Sequence, residues 1–250
     1  MTSANTTYLI TGANRGIGLG LIQVYLARPN TTTIAAVRDP DHPTSQALSA
    51  LPHGANSKLI LVKLDSASPT DAADAITTLQ TQHNITSLDV VIANAGIAKV
   101  QPLVRELQLA DLEEHNHVNV SGPVLLFQAT LPLMLKAAAP KFVGISSSAA
   151  SIAAMGERYF PNAAYGPSKV TLNYLLRKMH FEHEELTVFP IDPGFVQTEL
   201  GNTGANNLGL EQADITVEES VNGVVAVIDK ATRETHSGRF AHYLGGELPW

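Results

Sequence analysis

"YLITGANRGIGLGLIQVYL", residues 8–26, decides the fold. It opens on a short β-rich run, residues 8–11, passes through Gly12, Gly16 and Gly18 in the spacing G-x-x-x-G-x-G, and continues into a helical stretch predicted over 16–28. Glycines at that spacing permit a tight turn, close approach of backbone to a pyrophosphate, and close helix–strand packing. The helix N-terminus then offers unpaired amides and the positive end of its dipole to the phosphates. Three glycines alone would equally suit a turn that merely needs freedom. The order strand, loop, helix at the start of the sheet is what points to a nucleotide.

Outward from that loop, β-rich runs alternate with helical patterns. The runs are 8–11, 32–38, 58–64, 88–94, 141–148, 186–192 and a weaker one at 238–244; helices are predicted at 16–28, 69–83, about 103–136, about 165–184 and 216–231. Strands apolar on both faces suit a parallel sheet covered on each side, and repeated strand–helix–strand units imply right-handed crossovers. The expected fold is therefore α/β: a single doubly wound Rossmann domain over residues 1–250, with a seven-stranded parallel sheet and helices on both faces. Stretches 151–162 and 197–215, rich in Gly, Asn and Ala, read as loops or short lid helices.

Composition narrows the function. The 250 residues carry a net charge of -7 with no dense basic patch, so no nucleic-acid partner is expected. The longest apolar stretch, 124–135, is broken by Gln128 and Pro132 and predicts a buried helix and no membrane span. Cysteine is absent, which excludes thiol chemistry. With no basic or apolar leader ahead of the first strand, a cytoplasmic location is expected.

The second strand runs out at "AAVRDP", which puts Arg38 beside the glycine loop that carries Arg15. Two guanidiniums converging there suit the 2′-phosphate of NADP through charge-assisted bonds, whereas an acid at the strand end would suit the unphosphorylated ribose. The alternative is a local surface pair of Arg38 with Asp39.

"AAYGPSKVTLNYLL", residues 163–176, places Tyr165 and Lys169 four apart at a predicted helix start. Residues i and i+4 share a helix face. An ammonium beside a phenol favours the phenolate and is expected to lower the phenol's pKa from its usual value of about 10. Pro167 is tolerated because a helix's first turn has no internal partner for the missing N–H. Ser146, Ser147 and Ser148 stand in a row at the end of the fifth run, where alternation sets Ser147 on the face opposite the other two; the resemblance given below selects Ser147, with Ser148 as the other choice. Asn119 stands in "HVNVSGP", either in that site or as a buried asparagine bonding backbone. His115 and His117, and His180 and His183, are near-neighbours with no third metal ligand evident, and are expected to be solvated or partner-facing; no metal is expected.

Taken in order, these pieces resemble the short-chain dehydrogenases/reductases over essentially the whole chain: Thr11-Gly12-x-x-x-Gly16-x-Gly18, Asp65 after the third strand, Asn94-Ala95-Gly96 after the fourth, Asn119, Ser147, Tyr165-x-x-x-Lys169, and "PGFVQT" (193–198) after the sixth. The sequence is similar in particular to fungal ketoreductases of the norsolorinic acid type and to carbonyl reductases. The resemblance implies an NADPH/NADP-dependent ketoreductase working on a small-molecule ketone or alcohol. It assigns Tyr165 as proton donor, Lys169 to the nicotinamide ribose, Ser147 to the carbonyl oxygen and Asn119 to a water relay. It places the cofactor against Gly12, Asn14, Arg15, Gly16, Ile17, Gly18, Arg38, Asp65, Asn94, Ala95, Gly96, Tyr165, Lys169, Pro193, Gly194, Val196 and Thr198. It also implies a homodimer or homotetramer paired through the long helices. The gap from Ser147 to Tyr165 is 18 residues, longer than is typical. The added residues fall in 151–164, which with 195–213 is expected to shape the substrate mouth. Met155, Tyr159, Phe160 and Phe195 are the substrate-contact candidates, and the first three serve equally well to cap the core.

Overall fold

The structure, a computed structural model, describes residues 5–157 and 160–250. In chain order it runs β1 (Thr6–Thr11), α1 (Gly16–Leu26), β2 (Thr31–Val37), the short α2 (Pro43–Gln46), β3 (Lys58–Lys63), α3 (Asp71–His83), β4 (Val90–Ala93), α4 (Leu109–Asn116) and α5 (Gly122–Met134). It continues through β5 (Lys141–Ile145), α6 (Tyr165–Glu182), β6 (Thr187–Asp192), α7 (Glu199–Asn207), α8 (Val217–Lys230) and β7 (Ala241–His242). The strands form one sheet in the order β3-β2-β1-β4-β5-β6-β7, and every pairing is parallel. The order reverses between β1 and β4. Ligands of open α/β sheets bind beyond the carboxyl ends of the strands at such a switch point.

Strand alternation sorts the core into two layers. Leu9, Ile34, Val91, Phe142 and Val188 face α3, α5 and α6. Their neighbours Ile10, Ala35, Ile92, Val143 and Phe189 face α1 and α8. Burying one such side chain contributes roughly 1.5–3 kcal/mol, and both layers are continuous, which is why these strands read as unbroken apolar runs.

Three boundaries differ from the sequence reading. The helix expected over 103–136 is a short 3-10 turn (Val104–Glu106), α4, a π-helical turn (His117–Ser121) and α5, with Pro132 tolerated inside α5. The fifth strand ends at Ile145, so the serines lie on the connection beyond it. The last strand is only two residues long, because β7 pairs with β6 through Ile191 and Asp192 alone.

Candidate active site

The glycine loop is shaped for a phosphate group. Gly12 and Gly16 adopt φ of +62° and +51°, in the left-handed region that disfavours side chains. A Cβ on Gly18 would overlap the Gly12 carbonyl and stand 2.7 Å from Asn94 Nδ2, so only glycine lets α1 start this close to β1. The loop is braced from below. Thr11 Oγ1 accepts from the amides of Asn94 and Ala95, both at 3.0 Å, while Asn94 Nδ2 donates to Thr11 O at 2.8 Å. Ile17 opens α1 beside this bend. Asp65 Oδ1 caps the turn after β3 by accepting from Ala67 N at 2.9 Å. The cradle that these backbones and the α1 N-terminus make fits a dinucleotide pyrophosphate.

Asn14 and the two arginines are placed at the rim. Asn14 Nδ2 donates to Thr44 Oγ1 and Ser45 Oγ, tying the loop to α2. Arg38 is exposed at the end of β2. Asp39 Oδ1 caps its own turn at Asp41 N, and no Arg38 ion pair is found among the described residues, so the local Arg38–Asp39 pair does not form. Arg15 is 68% exposed and bonds Glu199 on α7 at 2.6 Å.

Beyond β6, the segment 193–198 folds back over the loop. Gly194 takes φ +84°, Pro193 O accepts from Ser220 Oγ, and Val196 bridges to Ile215. Thr198 caps α7 by accepting from Gly201 N at 3.0 Å, and its methyl would stand 3.1 Å from a Cβ on Gly16. The lid helix thus rests on the phosphate loop.

The catalytic candidates converge beside that cradle. Ala164 is the N-cap of α6, so Tyr165, Gly166 and Pro167 form its first turn and the proline breaks no internal bond. Tyr165 hydrogen-bonds Ser147. Ser146 turns the other way, donating to Asn173 Oδ1 at 2.6 Å, which sets it apart from Ser147 and Ser148. Lys169 is 4% exposed; its Nζ donates to Ile145 O at 2.8 Å and stands 5.7 Å from the Tyr165 ring centroid. Gly96 lets the backbone pass: a Cβ there would be 3.1 Å from Asn119 Oδ1 and 3.5 Å from Lys169 Nζ.

The electrostatics correct one expectation. Burial pushes the Lys169 ammonium down to about 8. The Tyr165 phenol is not lowered by it: burial, reinforced by the Asp192 charge, raises the phenol to about 12 against the opposing hydrogen bond from Ser147. At 5.7 Å from the ring and bonded to Ile145, the ammonium does not outweigh desolvation. Holding Lys169 charged at neutral pH costs on the order of 3 kcal/mol, at about 1.4 kcal/mol per pH unit. A group maintained at that cost in a cleft is the mark of a functional site.

Asn119 lies in the π-helical turn and is fully buried. Its side chain is spent on protein groups: Oδ1 accepts from Ile97 N at 2.8 Å, and Nδ2 donates to Ile97 O at 2.9 Å and Ser168 Oγ at 3.0 Å. It fixes the 95–98 backbone against Lys169.

Next to the serines lies a small open cleft of about 50 Å³ lined by Ser148, Ala149, Ser151, Ala154, Met155, Phe160 and Asn162. Met155 and Phe160 both line this cleft. Tyr159 falls outside the described residues. Phe195 packs near Gly204 of the lid helix. The 151–157 loop is held by Trp250, whose carbonyl accepts from Ala153 N at 2.9 Å, while the indole sits under the Arg177 guanidinium and beside Phe240.

Two features escaped the sequence reading. His115 is fully buried rather than solvated: Nε2 accepts from Lys99 N and Nδ1 donates to Asp111 O. Asp192 is buried behind the catalytic groups at the end of β6. Neither has a local signature, because both bond backbone brought in from other elements. Among the described residues no cluster of His, Cys, Asp or Glu is arranged for a metal, and no helix is long and apolar enough to cross a membrane.

Sheet order, glycine loop and a Ser-Tyr-Lys cluster at the switch point define a nucleotide-linked oxidoreductase. The chain belongs to the short chain dehydrogenase family, whose model matches residues 6–209. It is 49% identical to the norsolorinic acid ketoreductase of Dothistroma septosporum, over 99% of this chain and 94% of that protein. It is 47% identical to the norsolorinic acid ketoreductase of Aspergillus parasiticus, over 98% and 91%. The NADPH-bound carbonyl reductase from chicken fatty liver superposes with a TM-score of 0.86 at 31% identity, covering 99% of this chain and all of that one.

Proposed function

We propose that the protein is an NADPH-dependent ketoreductase that reduces the ketone of an apolar, aromatic or polyketide-type substrate, with Tyr165 as general acid. The observation that carries this reading is the cluster of buried Lys169 with the half-buried Ser147 and Tyr165 beside the glycine cradle. The ketone and its polyketide character are supported by the fungal ketoreductase relatives. The choice of NADPH is supported by the NADPH-bound neighbour and by two arginines at the rim with no acid at the end of β2.

When bound, NADPH supplies hydride to the carbonyl carbon. Gly12, Gly16 and Gly18 would seat its pyrophosphate, Arg15 and Arg38 would hold the 2′-phosphate, and Asp65 and Asn94–Gly96 would border the rest of the dinucleotide. Lys169 has donor capacity beyond its bond to Ile145 O, which serves the ribose. Gly194, Val196 and Thr198 close over the nicotinamide. Ser147 donates to the carbonyl oxygen, and charge developing there is stabilised by a group already in place. Tyr165, protonated at neutral pH by virtue of its raised pKa, passes its proton to that oxygen. The Lys169 ammonium then offsets the phenolate. Asn119 acts by positioning, through Ile97.

Alcohol oxidation with NADP uses the same groups in reverse, but needs the phenolate, which burial disfavours here. Tyr174 and Phe181 on α6 and Leu109 on α4 are exposed and suit a homodimer or homotetramer, which light scattering tests: a monomer at working concentration contradicts it.

The function is tested by following NADPH consumption against ketones from small aliphatic to polycyclic aromatic, with NADH alongside. Turnover of bulky aromatic ketones with NADPH is expected. Tight NADPH binding with no turnover across the panel would instead favour a nucleotide-sensing regulator.

A further inference from the structure

We propose that Asp192 is a positioning residue for the catalytic hydroxyl: its buried carboxylate, at the end of β6, pins the turn that presents Ser147. The proposal rests on Ser147 being the group that holds the carbonyl oxygen.

The geometry is that of a clamp. Ser147 is extended, φ −166°, at the start of a 3-10 turn (Ser148–Ala150). On one side of it, Ser146 is fixed by its amide on Ile191 O and its hydroxyl on Asn173. On the other, Ser148 N donates to Asp192 Oδ1 at 2.8 Å. With both flanking residues held, Ser147 has little freedom to swing from Tyr165. Asp192 is in turn anchored to the next strand: Tyr243 N donates to its carbonyl at 3.0 Å, and His242 Nε2 lies 3.6 Å from Oδ2.

Asp192 is 3% exposed, and burying a charge costs far more than burying an amide or hydroxyl unless it is well paired. The charge also bears on the neighbouring phenol, which it helps keep protonated. Titratable groups that face Asp192 include Tyr165 from α6, His242 from β7 and Tyr243 just beyond it. Asp192 thus holds the hydroxyl that receives the substrate oxygen and favours the acid form of the group that protonates it.

The test is a double-mutant cycle on the full-length protein, with Asp192→Ala, Asp192→Asn, Ser147→Ala and Asp192→Ala/Ser147→Ala. For each variant, kcat and KM for an aromatic ketone and Kd for NADPH are measured. Asp192→Ala is expected to lower kcat by about 10–100-fold, the scale of a sub-ångström to 1 Å misplacement, with Kd for NADPH changed less than about twofold. Asp192→Asn, whose carboxamide still accepts from Ser148, is expected to recover kcat to within roughly fivefold of the parent. In the Ser147→Ala background the aspartate substitution is expected to cost little more, because residues acting as a unit are non-additive. If Asp192→Ala does not fold, Asp192→Ser takes its place in the cycle. Additive losses, or parallel losses in NADPH affinity and kcat, would overturn the role of Asp192 while leaving Ser147's intact. A Ser147→Ala variant as active as the parent would instead overturn the serine assignment on which the proposal stands.

Discussion

Two groups of charged and polar side chains ring the same nucleotide cradle, and they are built on opposite principles. Ser147, Tyr165 and Lys169 are drawn inward: Lys169 is 4% exposed, with the half-buried Ser147 and Tyr165 beside it. Arg15 and Arg38 lie on the outside, the Arg15 side chain being 68% exposed and engaged with Glu199. Water weakens what the arginines can contribute, whereas the inner cluster works where charges are poorly screened. On the proposed function the inner group would govern rate and the outer group would select the cofactor. The protein destabilises itself to build the first and risks little on the second.

The contrast is sharpest at Lys169. Replacing it by methionine is expected to lower kcat by about a thousandfold, as loss of a charge that assists proton transfer should, yet to leave Tm unchanged or higher, because a buried ammonium is removed. Thermal melting beside steady-state kinetics decides this; a variant that is both slow and several degrees less stable would make Lys169 a structural residue.

Next in size is the pH dependence. Reduction requires protonated Tyr165, whose pKa near 12 keeps that form in place through neutrality, and charged Lys169, whose pKa is near 8. Reduction is expected to be level below about pH 8 and to fall above it. The reverse oxidation draws on the phenolate and is expected to gain from rising pH until Lys169 loses its charge. Profiles of kcat/KM in both directions check the signs.

The outer group should respond more mildly. Arg38→Leu is expected to raise KM for NADPH about tenfold, the scale of one or two charge-assisted bonds, with NADH and kcat little changed. The smallest effect belongs to Glu199→Gln. Freeing Arg15 from its exposed partner is expected to tighten NADPH binding by only about two- to fivefold, in keeping with surface pairs worth 0.2–1 kcal/mol. Fluorescence titration of both cofactors measures each; an Arg38 effect equal for NADPH and NADH would break the division between rate and selection.

The same division explains what could be read from the residues alone. Glycine spacing, strand alternation and the i, i+4 pair are local patterns with one geometric solution, so the sheet, the loop and the positions of Tyr165 and Lys169 follow from them. Other features depend on contacts between distant segments. Nothing in "HVNVSGP" announces a π-helical turn or that Asn119 is spent on Ile97. His115 is buried because Lys99 and Asp111 supply backbone partners. The direction of the Tyr165 shift turns on burial and on Asp192, 27 residues away in the chain, and the ammonium four residues along is a poor guide to it. The two-residue β7 reflects where β6 has backbone left to pair, a matter of register rather than propensity.

The most direct measurement is Tyr165→Phe, assayed for NADPH binding by fluorescence and for single-turnover reduction of an aromatic ketone. Phenylalanine keeps the ring and removes only the acid. The expected result is NADPH affinity within about twofold of the parent with the hydride-transfer rate down by about 10³-fold, the scale of a lost general acid. A variant that binds NADPH and still reduces the ketone within tenfold of the parent rate would contradict the role of the Tyr165 phenol as proton donor.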